Sequence, residues 1–225
     1  MIAQALTLTL RLALTVSVIL LVIGVPLAYW LTYSVRRWKF LVEAIVSLPI
    51  VLPPTVLGFY LLVALGPLSP LGRWYRALTG HTMAFTFTGL VIGSILYSLP
   101  FAVQPIVTSF AAVDRRLLQA SALLGASRWR TFWRILLPLG MPGVLTGFVL
   151  SFAHTLGEFG VVLMIGGNIP GVTRTISILI FDQVEALDYA AANRTALLLL
   201  LLCFALLALL YGLRRRASWN LWEWR

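Results

Sequence analysis

Five long apolar stretches separated by short polar ones set the layout of the chain. They cover about residues 6–33, 40–65, 83–110, 136–156 and 195–213. Each is close to or longer than the ~20 residues an α-helix needs to cross a ~30 Å hydrocarbon layer. The pattern predicts an all-α polytopic membrane helix bundle of about five transmembrane helices, forming a single domain over residues 1–225. In the first stretch Arg11 is near enough to the start to snorkel to the interface, and Pro26 predicts a kink. The second carries Glu43 and then Ser47-Leu48-Pro49-Ile50-Val51-Leu52-Pro53-Pro54-Thr55. A proline lacks an N–H and clashes with the preceding turn, so Pro49, Pro53 and Pro54 do not continue an ordinary helix. Backbone freed at membrane depth must be satisfied by protein or face water. Pro49, Pro53, Pro54 and Thr55 are therefore expected to line a cavity or pack inside the bundle; the alternative is a simple kinked helix in lipid. Pro100 and Pro105 interrupt the third stretch, and Pro138 and Pro142 open the fourth.

The polar connections supply the topology. Residues 34–39 hold Arg36, Arg37 and Lys39, and residues 111–135 hold Arg115, Arg116, Arg128, Arg130 and Arg134 against Asp114 alone. Arg214, Arg215 and Arg216 close the last stretch, and Arg225 ends an aromatic tail that reads as interfacial. Lys and Arg concentrate in cytoplasmic loops of membrane proteins. On that rule the N-terminus is outside and the C-terminus inside, and twelve of the seventeen basic residues fall on the cytoplasmic side. Residues 66–82 then form an external loop with a short helical turn, where His81 reads as a solvated histidine. Residues 168–175 have turn chemistry. Residues 176–192, with Asp182, Glu185 and Asp188 at helical spacing, read as one short amphipathic helix outside the membrane or only dipping in. Six spans remain possible if residues 158–192 re-enter more deeply.

Composition narrows the class. The chain is 60% hydrophobic and 11% charged, against about a quarter charged in soluble domains. The net charge of +10 would otherwise suggest nucleic acid, but its confinement to particular loops between apolar spans argues for no nucleic acid and for the bilayer as the partner surface. Cys203, the single cysteine, excludes an intrachain disulfide and a cysteine-based metal site. The first residues lack the basic n-region and cleavage signature of a signal peptide, so the first stretch is expected to be a retained span.

Catalytic signals are sparse. His154 and Glu158 lie four residues apart and share a helix face if the helix continues. A metal ion normally takes three or four protein ligands, so the simpler reading puts both at the watery end of the fourth span. The phosphate-cradling GxxxxGK[ST] motif is absent from the sequence, so the chain does not carry its own nucleotide motor. A secondary transporter often places ionisable groups at the membrane midplane; here Glu43 and Glu158 fall at span ends. No cofactor is expected in this chain.

The most informative polar segment is residues 119–138, QASALLGASRWRTFWRILLP. It is basic, has helical spacing, and sits between the third and fourth apolar stretches. Small side chains let a short helix seat closely in a groove, Gly125 breaks or turns it, and a second helix rises into the membrane at Pro138. This segment resembles the cytoplasmic loop of ATP-binding-cassette importer permeases, which runs Glu-Ala-Ala, three residues, Gly, nine residues, Ile-x-Leu-Pro. Gln119-Ala120-Ser121, Gly125 and Ile135-Leu136-Leu137-Pro138 keep each spacing, with Gln for Glu and Ser for the second Ala. Ser47–Pro54, Thr155-Leu156-Gly157-Glu158-Phe159-Gly160 and Asn168-Ile169-Pro170-Gly171 with Thr173-Arg174-Thr175-Ile176 are similar to the molybdate branch of that family, with sulfate permeases its nearest relatives.

The resemblance implies a type I-like importer permease fold and the transport of molybdate, with tungstate or sulfate as the alternative, into the cytoplasm of a prokaryote across its inner membrane. It implies a homodimer, two cytoplasmic ATPase subunits that bind the ATP and Mg, and an extracytoplasmic oxyanion-binding protein. Gln119, Ala120, Ser121, Leu124, Gly125, Ala126, Arg128 and Arg130, within a loop of about residues 111–135, are the expected ATPase-coupling positions. For the loop arginines, lipid phosphate is the competing partner. Pro49, Pro53, Pro54, Thr55, Glu158, Phe159 and Gly160 are the expected path or gate, with Glu158 accepting hydrogen bonds from N–H groups near Gly157 and Gly160. Arg174 is a possible external contact for the anion or the binding protein, or a plain loop arginine.

Overall fold

A computed structural model describes residues 1–219, and the surroundings of side chains as far as residue 212. The side-chain setting of the Arg214–Arg216 anchor and most of the aromatic tail lie outside the described residues. The elements are α1 (Ile2–Tyr33), α2 (Lys39–Val51), α3 (Pro54–Leu65), α4 (Pro70–Thr79), α5 (Phe87–Ala111), α6 (Arg115–Leu123), α7 (Arg128–Thr131), α8 (Leu137–Gly157), α9 (Gly160–Gly166), α10 (Ile176–Glu185) and α11 (Tyr189–Trp219). Among the described residues, four helical segments are each long and apolar enough to cross a membrane: Ile2–Tyr33, Phe87–Ala111, Arg128–Gly157 and Tyr189–Gly212.

The second apolar stretch is divided. Helix α2 runs through Pro49 and stops at Leu52, whose ψ of 135° is extended; α3 restarts on Pro54 with its axis turned by 113°. Proline is tolerated in the first turn of a helix, where its N–H would be unused, so Pro53-Pro54 both ends one helix and opens the next. The two halves meet α5 at different levels. Val46 packs with Val103 and Ile106, and Gln104 Nε2 donates to Ser47 Oγ at 3.3 Å. Leu65 packs instead with Met83 and Ile165, beside Ile92. From Ile106 to Ile92 is about 21 Å along a helix axis, so α2 and α3 together make the fifth crossing as one broken span.

Helix α5 is the centre of the bundle. Its C-terminal half meets α1, α2 and α8 in a cluster of Ala28, Leu31, Val46, Val103, Ile106, Phe110 and Val144, with Leu136 of the turn before α8. Farther along, Leu12, Val16, Leu20, Leu90, Ala102 and Val162 form a second. Small residues bring α8 close: a side chain at Gly147 would meet the carbonyl of Ala102, and Ser109 Oγ donates to the Gly140 carbonyl at 3.2 Å. Close approach of this kind is how membrane helices gain packing where lipid offers no hydrophobic drive. At one end of the bundle Tyr33 Oη donates to the Phe110 carbonyl at 2.9 Å, which places the basic segments 34–39 and 111–135 side by side.

Two expectations need correction. Residues 176–192 are not one amphipathic helix lying outside: α10 ends at Glu185, and Tyr189 already begins α11. Nor is α10 peripheral, because Ile176, Ile178 and Leu179 are buried and the Ile176 N–H donates to Thr9 Oγ1 of α1 at 2.9 Å. The acidic residues at helical spacing dominated the sequence pattern, while the apolar turn at 176–181 is what packs. Residues 158–166 likewise enter the bundle, as α9 against α3 and α5, without adding a sixth crossing among the described residues.

The two interruptions meet. A Cβ added at Gly160 would stand 2.6 Å from Pro54 Cβ, whereas one at Gly157 would meet open space. A rigid pyrrolidine ring cannot give way, so Gly160→Val should destabilise the chain by about 1–3 kcal/mol through overpacking, while Gly157→Ala stays near wild type. Thermal unfolding in detergent, followed for both variants, checks the contrast.

Candidate functional site

Two regions carry the polar chemistry: the α6–α7 unit at the basic end and a cluster inside the bundle. Asp114 Oδ1 accepts the Arg116 N–H at 2.9 Å and starts α6, as a side-chain cap does. The helix closes with Leu124 N–H donating to the Ala120 carbonyl and Ala126 N–H to the Ser121 carbonyl, both at 3.1 Å. Gly125 holds φ +78°, the left-handed conformation that ends helices and that residues with a Cβ adopt at a penalty. Ser127 Oγ then accepts the Arg130 N–H at 3.2 Å and opens α7. Ser121, buried, shares a 2.8 Å hydrogen bond with Thr131 Oγ1 and ties the two helices together.

The outer surface of this unit is open. Leu123 and Leu124 are 89% and 88% exposed. Beside them a groove of about 720 Å³ is lined by Leu117, Ala120, Leu124, Arg130 and Arg134, with Ser121 and Ala126. Gln119 is exposed on α6. Arg128 lies elsewhere, between a cleft it shares with Tyr33, Leu118 and Thr131 and an apolar groove lined by Tyr29, Trp129 and Phe132. Helix α7 does not stop at the membrane: it continues through a π turn at Phe132–Leu136 into α8, and Arg128–Gly157 forms one segment.

Inside the bundle, Ser98 Oγ lies 2.9 Å from His154 Nδ1 and 3.0 Å from Thr155 Oγ1. The His154 ring stacks on Phe101 at 4.0 Å and tilts against Tyr97 at 4.8 Å. Glu158 stands at the break between α8 and α9, 4% exposed, with Ser94 and Tyr97 of α5 as its polar neighbours. Neither carboxylate oxygen has a hydrogen-bond partner, and neither has Ser94 Oγ. The expected acceptor role toward the Gly157–Gly160 amides is thus corrected: the buried carboxylate accepts no hydrogen bond from them. Phe159 meets Phe181 at 5.0 Å. Pro49 is buried, Pro54 is on Gly160, and Pro53 and Thr55 are exposed on the bundle surface.

Arg174 is engaged. Its Nε donates to Asn168 Oδ1 at 2.5 Å and pairs with Asp182 at 3.4 Å, and Asn168 Nδ2 donates to Asp182 Oδ1 at 2.6 Å. This triad joins the 168–175 turn to α10. Ser94, Tyr97, Ser98 and Phe101 went unremarked in the sequence, although two four-residue spacings in an otherwise apolar span place polar and aromatic groups on one stripe. Among the described residues, no three His, Cys, Asp or Glu side chains converge as metal ligands.

Four long apolar helices and one bent apolar pair, with an exposed basic helical unit at one end and buried polar groups between the helices, define a polytopic membrane protein. The chain belongs to the family of binding-protein-dependent transport system inner membrane components, whose profile matches residues 6–219. It is 51% identical over 211 residues to the molybdenum transport system permease protein ModB of Azotobacter vinelandii, covering 94% of this chain and 93% of that one. It is 38% identical over 182 residues to the protein of that name from Escherichia coli (strain K12), covering 81% and 80%. A probable sulfate transport system permease protein of Chlorokybus atmophyticus is 33% identical over 197 residues, covering 88% and 68%. The fold is also that of a bacterial ABC transporter importing alginate (TM-score 0.78, 16% identity, 95% of this chain and 79% of that one). The MetNI methionine ABC transporter in an inward-facing conformation shares it too (TM-score 0.74, 16% identity, 96% and 95%).

A net intramolecular hydrogen bond contributes about 1 kcal/mol, or about fivefold in a local opening equilibrium. Ser121→Ala and Thr131→Val should each speed amide exchange at residues 122–126 by about that factor. The double variant should add little to either, as expected when both remove the same bond.

Proposed function

We propose that the chain is the permease subunit of an ATP-binding-cassette importer that carries molybdate into the cytoplasm of a prokaryote. Two copies form a two-fold path, two ATPase subunits dock at the basic end, and an extracytoplasmic binding protein delivers the anion at the other. The basic end then faces the cytoplasm, with the N-terminus outside and the C-terminus inside, in keeping with the charge bias of such loops. The observation that carries the reading is the exposed α6–Gly125–α7 unit joined without interruption to a membrane-crossing helix. The 51% identity to a molybdenum permease supports the choice of anion, and the more distant sulfate relative supports sulfate only as an alternative; tungstate shares the charge and shape of molybdate.

Coupling follows from stiffness. Ala120, Leu124 and Arg130 line the groove that receives the ATPase, with Gln119 beside them. Movement there passes through the Ser121–Thr131 bond to α7 and on to Gly157, about 44 Å if the helix were straight. In this scheme ATP and Mg are bound by the partner ATPase. At the far end of this lever is Glu158. A buried carboxyl group without a hydrogen-bond partner is unfavourable, so a state that hydrates or pairs it is favoured in turn, and the residue biases the exchange between states as a gate. A dianion pays heavily for desolvation in an apolar path, and a route with few fixed charges passes it without trapping it. Arg174, neutralised by Asp182, braces the outer turn in this scheme.

Labelled molybdate uptake at limiting concentration, in cells with and without the chain, tests the proposal. Uptake should vanish on deletion and be blocked by excess tungstate but hardly by sulfate. Intact molybdate uptake with lost sulfate uptake would reassign the anion; no change for any oxyanion would reject the function. In the same assay Glu158→Ala should impair uptake while membrane assembly, followed by co-purification with the ATPase, is retained. Full uptake in that variant would remove Glu158 from the gate.

A further inference from the structure

The apolar groove that holds Arg128 has no role in the scheme above. It has a volume of about 650 Å³ and lies between α1 and the α7–α8 segment. Leu21, Val25 and Tyr29 form one wall; Phe132, Met141 and Val144 form the other. Tyr29 to Leu21 is about 12 Å along α1, and Phe132 to Val144 about 18 Å along α8. Those lengths bracket the ~15 Å depth of one leaflet of a ~30 Å hydrocarbon core. Val22, on the groove edge, is 70% exposed, so the cleft opens sideways at acyl-chain level.

The mouth has the chemistry of the headgroup zone. Trp129 and Trp133, 71% and 51% exposed, stand edge to face at 5.5 Å beside the opening. Exposed tryptophan marks the membrane–water interface. Arg128 closes the apolar lining at this end, and among the described residues no carboxylate pairs with it. An open guanidinium over an apolar slot one leaflet deep complements a phosphate attached to an acyl chain, because a guanidinium binds phosphate oxygens through parallel N–H donors.

We propose that this groove is a binding site for one anionic glycerophospholipid of the leaflet at the basic end, with its phosphate on Arg128 and one acyl chain between α1 and α8. The arginines of the α6–α7 unit thereby divide their work: Arg130 and Arg134 line the exposed groove beside Leu124, and Arg128 lines the apolar one. The occupied site would stabilise the junction where α7 passes into α8.

Native mass spectrometry of the full-length chain, purified in its own assembly and titrated with phosphatidylglycerol or phosphatidylethanolamine, tests the site. The wild type should retain phosphatidylglycerol preferentially. Arg128→Gln should lower that retention about fivefold, the factor one interfacial arginine contributes toward anionic lipid, Arg128→Lys should recover part of it, and Arg130→Gln should change it little. Val22→Trp and Met141→Trp, which fill the slot at exposed positions without altering charge, should also lower retention, and excess inorganic phosphate should fail to displace the lipid. Equal retention of both lipids, equal effects at Arg128 and Arg130, or displacement by inorganic phosphate alone would overturn the proposal. So would efficient cross-linking of two copies through Val22→Cys in a Cys203→Ser background, since the groove would then be covered by protein.

Discussion

Backbone N–H and C=O groups in hydrocarbon have no water to turn to, and every break in a membrane helix must be resolved inside the protein. Here the break at Leu52-Pro53 and the break at Glu158-Phe159 are packed against one another, Pro54 on Gly160. Both sit on α5, whose length is read at one level by α2 and at another by α3 and α9. The third irregular stretch is knit by one buried hydroxyl: Thr173 Oγ1 donates to the Gly166 carbonyl at 2.7 Å and accepts the Ile169 N–H at 3.1 Å. With its breaks packed against protein and the 166–175 stretch held by Thr173, the bundle accommodates irregular chain between its helices.

The same constraint explains why the α6–α7 unit matters. It is outside the apolar layer, so its helices are capped by side chains: Asp114 and Ser127 at the starts, Gly125 at the turn. Its connection to the bundle is then helical and stiff. A push on Ala120 or Leu124 has few soft joints before α8, the π turn at Phe132–Leu136 being the main one. That turn also lies between the basic, tryptophan-bearing α7 and the apolar run that begins at Leu137.

The sequence carried much of this. Proline clusters, glycines at Gly125 and Gly160, and runs of about 20 apolar residues are local signals, and the elements they imply formed close to where they were expected. What the sequence did not carry depends on tertiary partners. The depth of α10 is set by Thr9, 167 residues away. The burial of Glu158 and its missing partner follow from how α5 passes behind it, and Glu158 read locally is only a polar residue at a span end. Arg174 looks free in the turn because Asp182, its neutralising partner, is eight residues on and in another element. The stripe of Ser94 and Ser98 beside Tyr97 was readable from spacing, but lone serines in an apolar span more often bond their own helix, as Ser17 does to the Ala13 carbonyl.

Under the proposed function, an ATPase subunit acts on the bundle at the α6–Gly125–α7 unit. In a Cys203→Ser background, a cysteine placed at exposed Leu124 should cross-link to the ATPase in native membranes, with a yield that changes on adding ATP. A cysteine at exposed Leu187, in the break between α10 and α11, should not cross-link. Failure of the Leu124 position to reach the ATPase, or equal cross-linking from Leu187, would contradict the account.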